Sequence, residues 1–269
     1  MRILVSTVPF AERESQPLDL LTRAGAEVVI NPLGRKFTEK ELTERISDFD
    51  ILIAGTEPIT RHVISNGAKL KLIVRVGIGL DNVDLVAAKS HGIAVSYTPD
   101  APSPAVAELT IGLMIDLLRN THISNLRMHD GTWYRYFGQR LAKASIGVIG
   151  LGRIGSRVIK HLGGFDCCQI LVNDINPDVS TPQHPTCDVV RVEKDQIYRN
   201  ADIISLHIPL SQTTKNLITQ REIEKMKPST LLINTSRGGI VNERDLYNAL
   251  RADQIGGAAI DVFEREPYI

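Results

Sequence analysis

The sequence predicts an α/β protein of two parallel-sheet domains, and three observations carry that prediction. Short apolar runs rich in valine and isoleucine alternate with amphipathic stretches along the whole chain, as strands covered by helices on both faces do. A glycine-rich strand-to-helix turn sits near mid-chain instead of near the start. At 269 residues the chain is long enough for two ordinary domains, each with its own core.

In the first half the apolar runs are 3–5, 28–30, 51–54, 72–76 and 93–95, so residues 1–98 read as a complete βα domain. The N-terminal run reaches Glu12 and Arg13 too soon for a signal or membrane segment and is expected to be the first buried strand. Thr98-Pro99-Asp100-Ala101-Pro102 marks a break followed by a helix start. The helix expected over 102–119 is apolar nearly all round between 106 and 118, interrupted only by Glu108, Thr110 and Asp116. Such a helix should be buried on every face, between domains or against a second subunit. A more polar stretch with Trp133, Tyr134, Tyr136 and Phe137 follows. Strands beginning near Ser145 and at 170–173, 189–192, 202–207, 231–234 and 258–262 then complete a second domain, 99–269.

Composition narrows the function. Thirty-one basic residues balance 31 acidic ones, so no basic surface calls for nucleic acid or an anionic membrane, and the expected partner is a small molecule. Cys167 and Cys168 are adjacent and Cys187 stands alone, giving neither a disulfide framework nor metal-ligand spacing. Free thiols in a reducing cytoplasm and no metal site are expected.

The central motif is Gly150-Leu151-Gly152-Arg153-Ile154-Gly155, which follows an apolar strand and opens a helix. The first glycine permits the turn, the second lets backbone approach a pyrophosphate, and the third lets the helix pack on the strand. The helix start at Arg153 and Ile154 offers free N–H groups to phosphates. Asp174, nineteen residues past Gly155, ends the next strand and can accept both ribose hydroxyls. It would repel a 2′-phosphate, and the following Ile175 brings no relieving cation, so NAD is expected over NADP.

Further on, Ile233-Asn234-Thr235-Ser236-Arg237-Gly238-Gly239 places an arginine just past a buried strand, where ligands of open sheets collect. A guanidinium there can grip a carboxylate through two charge-assisted hydrogen bonds. Asp261 stands at another strand end and Glu266 lies just beyond it.

Taken with Arg75-Val76-Gly77-Ile78-Gly79-Leu80-Asp81-Asn82-Val83-Asp84, Ala107-Glu108-Leu109-Thr110 and Leu206-His207-Ile208-Pro209-Leu210, these motifs make the chain resemble the D-isomer-specific 2-hydroxyacid dehydrogenases. Within them it is most similar to the 3-phosphoglycerate dehydrogenase group. The resemblance implies two Rossmann-like or flavodoxin-like domains, the NAD-binding domain inserted into the substrate domain. That insertion would account for a glycine motif at mid-chain. It implies that Arg237 binds the substrate carboxylate and the reacting oxygen, with backbone N–H groups of Val76, Gly77 and Ile78 on the carboxylate's other side. Thr235, Ser236, Arg237, His207, Ile208, Pro209, Thr214 and Asp261 would serve the cofactor, Asp261 through the nicotinamide. Glu266 would orient and charge a catalytic histidine, raising its pKa. The family places that histidine roughly twenty residues past the Glu-Pro pair, and none of the seven present matches. His207 belongs to the cofactor motif, while His62, His91, His122, His129, His161 and His184 have solvated or packing roles. The expectation is therefore a chain that binds NAD with little or no turnover, the return to the substrate domain also being absent.

By the same resemblance Arg75 is a candidate for a substrate phosphate, giving 3-phosphoglycerate and 3-phosphohydroxypyruvate as the expected pair, as in serine biosynthesis. The cation often found near the third strand's end is replaced by Ile53-Ala54-Gly55-Thr56-Glu57, which leaves glyoxylate or hydroxypyruvate as the alternative. A non-catalytic, NAD-sensing corepressor of the same fold is the rival from another class. A homodimer through the nucleotide domains is expected from the apolar helix and the aromatic stretch.

Overall fold

Valine- and isoleucine-rich runs become strands throughout the computed structural model, which describes residues 1–166, 169–183 and 186–268. Cys167, Cys168 and His184 lie outside the described residues. Two units separate by internal contact, Met1–Pro102 and Ser103–Ile269.

The first unit runs β1 (Arg2–Val5), α1 (Gln16–Arg23), β2 (Glu27–Ile30), α2 (Glu39–Arg45), β3 (Ile51–Ala54), α3 (Arg61–Asn66), β4 (Leu72–Arg75), α4 (Leu85–Ser90) and β5 (Ala94–Tyr97). Its strands are parallel in the order β2-β1-β3-β4-β5, so the winding reverses between β1 and β3. Alternation along the strands divides the apolar side chains between two faces. Leu4, Leu52 and Ile73 meet Phe37, Leu42, Ile46, Val63 and Ile64 on one side, and Ile3, Val5 and Ile53 pack with Leu21 and Val28 on the other. Thr38 and Glu41 cap α2 reciprocally, the side chain of each taking the other's backbone N–H.

The second unit comprises α5 (Ser103–Arg119), α6 (Thr121–His129), β6 (Ser145–Ile149), α7 (Arg153–Leu162), β7 (Gln169–Asn173), β8 (Asp188–Arg191), α8 (Lys194–Asn200), β9 (Ile203–Leu206), α9 (Gln220–Ile223), β10 (Leu231–Asn234), α10 (Glu243–Arg251) and β11 (Gly257–Ile260). Its parallel sheet has the order β11-β10-β9-β6-β7-β8, reversing between β6 and β9. That is the doubly wound dinucleotide-binding order. Ala107 and Met114 of α5 and Val158 and Ile159 of α7 cover one face through Ile146, Ile170, Ile203 and Ile233. Ile197, Tyr198, Ile223 and Leu246 cover the other through Ile204 and Leu232. Truncating one of these central side chains to alanine costs about 2–5 kcal/mol.

Two expectations change. Strand limits move by one or two residues: β4 stops at Arg75, β5 runs to Tyr97, and β11 begins at Gly257. Helix α5 begins at Ser103 and is not buried on every face within this chain. Ala107, Thr110, Ile111, Met114 and Leu118 face the sheet, whereas Leu109 is 42% exposed. The sheet offers one surface, so Leu113, Ile115 and Leu117 are only partly buried against it and Leu109 stays exposed.

Candidate functional site

Because all strands of the second sheet are parallel, the residues following β6, β7, β9, β10 and β11 emerge along one edge. Three residues, Gly150-Leu151-Gly152, separate β6 from α7. Gly150 has φ +99°, and a Cβ on it would lie 2.4 Å from the His207 carbonyl oxygen. A Cβ on Gly155 would lie 1.9 Å from the Gly150 carbonyl oxygen, so only glycine lets α7 start this close to the strand end. At Gly152 the same position meets nothing within 4 Å. The first-turn N–H groups of α7, with the helix's positive end, therefore stand behind an open backbone.

Asp174, just past β7, closes the other wall. Its Oδ2 accepts the Leu151 N–H at 2.7 Å and its Oδ1 the Asn176 N–H at 2.9 Å, tying strand end to glycine turn. Each oxygen keeps acceptor capacity for a ribose hydroxyl. Arg191 braces the same loop from β8, donating to the Pro177 carbonyl at 2.8 Å and the Asn176 carbonyl at 3.0 Å. His207 follows β9, its Nε2 2.9 Å from the Ser205 hydroxyl and its Nδ1 out of solvent with no hydrogen-bond partner among the described residues. Burial lowers its pKa to about 4, so the ring is neutral at pH 7. Thr214 fixes the neighbouring loop, donating to the Pro209 carbonyl at 2.6 Å and accepting the Ser211 N–H at 2.7 Å. Gly150, Asp174, Ile175, His207, Ile208 and Pro209 line a crevice of about 420 Å³, within the size range of small-molecule sites. The open glycine backbone, the ribose-ready carboxylate and the orphaned imidazole nitrogen fit a dinucleotide.

Lys194 lines the same crevice and the sequence reading missed it. Ile175, directly after Asp174, carries no charge, whereas Lys194 arrives from just past the end of the neighbouring strand, β8. The usable signal was its position just past a parallel strand.

Arg237 lies three residues beyond β10 and donates through Nη1 to the Ser236 carbonyl at 2.7 Å. Backbone runs against backbone here: a Cβ on Gly238 would sit 1.9 Å from the Phe263 carbonyl oxygen. The loops carrying Arg237 and residues 261–266 are thereby neighbours. Asp261 donates its N–H to the Asn234 carbonyl at 3.0 Å, and Glu266 Oε1 accepts the Phe263 N–H at 3.0 Å. Burial, and then the charge of Glu266, raise the pKa of Asp261. Thr235 and Ser236 are buried, their hydroxyls bonded within the protein, so they offer a cofactor backbone more than side chain.

In the first unit Arg75 ends β4 and turns its guanidinium back onto the Val76 carbonyl. Among the backbone donors expected to hold a carboxylate, the Val76 N–H bonds the Ala54 carbonyl at 2.8 Å and the Gly77 N–H bonds the Thr98 hydroxyl at 2.7 Å. The sheet ladder runs one residue past the strand and takes the first donor, and Thr98 takes the second. Among the described residues Ile78 alone of the three keeps its N–H for a ligand.

Residues 111–269 match the family model for the NAD-binding domain of D-isomer-specific 2-hydroxyacid dehydrogenases. Among curated relatives, a D-3-phosphoglycerate dehydrogenase of Methanocaldococcus jannaschii is 40% identical over 86% of this chain and 44% of its own length. A hydroxypyruvate reductase of Thermotoga maritima is 36% identical over 84% of this chain and 73% of its own. The chain thus spans less than half the length of the first relative and about three quarters of the second. The crystal structure of the TT0316 protein from Thermus thermophilus superimposes with a TM-score of 0.89 at 31% identity, covering 100% of this chain and 84% of that one. The chain belongs to the D-isomer-specific 2-hydroxyacid dehydrogenase family, and its second unit carries that family's NAD-binding domain.

Proposed function

We propose that the protein interconverts a D-2-hydroxy acid and its 2-oxo acid, with 3-phosphoglycerate and 3-phosphohydroxypyruvate as the preferred pair. The observation that carries the reaction class is the gathering of Arg237, Asp261 and Glu266 on adjoining loops at the strand edge that holds the glycine crevice. NAD, when bound, supplies or removes the hydride at the acid's second carbon. Arg237 holds the carboxylate and polarises the reacting oxygen. Asp261, whose pKa is raised by burial and then by the charge of Glu266, meets the nicotinamide amide. Glu266 is placed to orient an imidazole that moves the hydroxyl proton, a group that none of the seven histidines here supplies.

Arg75 supports the phosphorylated substrate, since a guanidinium suits a phosphate better than any neutral group. Glu57 favours a second reading. It fills the place of an expected cation, is fully buried, and bonds the Gly55 N–H, which suits the smaller glyoxylate or hydroxypyruvate. Relatives with both kinds of name match the chain. Steady-state assays of a chain that carries the family's histidine, with NADH and 3-phosphohydroxypyruvate, hydroxypyruvate and glyoxylate, separate the readings. A kcat/KM at least about tenfold higher for the phosphorylated acid, lost in Arg75→Ala, is expected from a charge-assisted contact. Equal or better use of glyoxylate overturns it.

The biological setting proposed is cytoplasmic serine synthesis by a homodimer joined through the second unit. Leu126, Met128, Trp133, Tyr134 and Phe137 are exposed, as is Leu109 of α5, which supports pairing. Light scattering should give twice the chain mass at micromolar concentration; a monomer contradicts the dimer.

A further inference from the structure

The three residues before Arg237 are polar, buried and bonded to one another or to a neighbouring helix. Asn234 is 1% exposed. Its Oδ1 accepts the Ser236 N–H at 3.1 Å and the Ser236 hydroxyl at 2.7 Å, while its Nδ2 donates to the Arg237 carbonyl at 2.8 Å. One carboxamide thus closes the turn from strand end to Arg237. A second latch pins the turn to helix α5. The Thr110 hydroxyl donates to the Val106 carbonyl at 2.8 Å, and the Thr110 and Thr235 hydroxyls are 3.0 Å apart. Since a carbonyl only accepts, the proton of Thr110 is committed, and Thr235 must be the donor between the two. Every member is satisfied with one direction of donation, which gives a single arrangement instead of several of similar energy.

We propose that Asn234 is the positioning residue for Arg237, with Thr110 of α5 as its brace, so that the long helix takes part in holding the substrate-binding guanidinium. The inference rests on the reading of Arg237 as the carboxylate grip. A shift of about 1 Å in such a group is enough to lose much of its effect, and the Asn234 carboxamide reaches both ends of the turn that carries it.

The test uses the NADH complex of the protein and oxamate, an unreactive analogue of a 2-oxo carboxylate, with binding read from NADH fluorescence. Asn234→Ala should weaken oxamate about tenfold, the scale of a hydrogen bond to a charge-bearing loop, while the Kd for NADH moves less than about twofold. Asn234→Asp, which keeps the acceptor for Ser236 but sets an oxygen against the Arg237 carbonyl, should lose as much. On an Arg237→Ala background the Asn234→Ala change should add less than about twofold, because residues acting through one another are not additive. If Asn234→Ala fails to fold, Thr110→Val, nearly the same shape without the hydroxyl, should weaken oxamate about threefold with NADH binding retained. Full additivity of Asn234→Ala and Arg237→Ala, or equal loss of NADH and oxamate, overturns the positioning role. Unchanged oxamate binding in Arg237→Ala, or none in the parent protein, counts against the hydroxyacid reading itself and takes the proposal with it.

Discussion

Both sheets are parallel and both reverse their winding, one between β1 and β3 and the other between β6 and β9. In the second, two glycines lie in a three-residue turn that delivers a ten-residue helix straight to the strand end. In the first, ten residues separate Val5 from α1, so that helix does not begin at the strand end. The space beside Ser6 is filled from within by Glu57, which takes the Gly55 N–H on both oxygens at 3.1 Å and the Ser6 hydroxyl. Asn82 then seals the loop, donating to the Gly55 carbonyl at 3.1 Å and the Glu57 carbonyl at 2.7 Å. Both sheets reverse their order, but the second keeps an open glycine turn there while the first is filled by a carboxylate from the loop after β3.

The largest effect should come from closing the open crevice. In Gly155→Ala the new methyl meets the Gly150 carbonyl, α7 must back away, and NADH affinity should fall about 100-fold or more, equivalent to about 2.7 kcal/mol. Titration of NADH fluorescence checks this, and near-normal binding would break the contrast between the turns. In a chain that carries the family's histidine, Arg237→Ala should lower kcat/KM for the 2-oxo acid by about two orders of magnitude, with NADH affinity changed less than about threefold. A uniform loss of both would move Arg237 out of the substrate site.

A third prediction concerns the neutral imidazole in the crevice wall. His207 has a folded pKa of about 4 against about 6.5 in an unfolded chain. Between those values the unfolded chain binds the extra proton, so stability is fully present above about pH 6.5 and is lost as pH falls toward 4, by up to about 3 kcal/mol. Urea unfolding at a series of pH values should show this, and His207→Asn should flatten it; an unchanged slope would mean the ring is solvated. Smallest is Glu57→Gln, which leaves part of a buried network unmatched and should cost about 1–3 kcal/mol of stability. NADH affinity, belonging to the other unit, should stay the same. If the variant instead gained affinity for a phosphorylated acid, the filled crevice of the first unit would be a substrate determinant as well as a structural one.

By itself the sequence determined the elements and the cofactor grips. Apolar runs became strands because parallel strands must be buried on both faces, and Gly150, Gly152, Gly155 and Asp174 were legible because local backbone geometry alone dictates their spacing. Arg237, Asp261 and Glu266 were visible as strand-end residues. The tertiary structure decided what depends on partners distant in sequence. It turned the Val76 and Gly77 N–H groups inward, brought Lys194 to the crevice from a neighbouring strand, left Leu109 of α5 exposed, and bonded Thr110 to Thr235 across 125 positions. A hydrogen bond is settled by which groups compete for each donor in space, and that competition has no period along the chain.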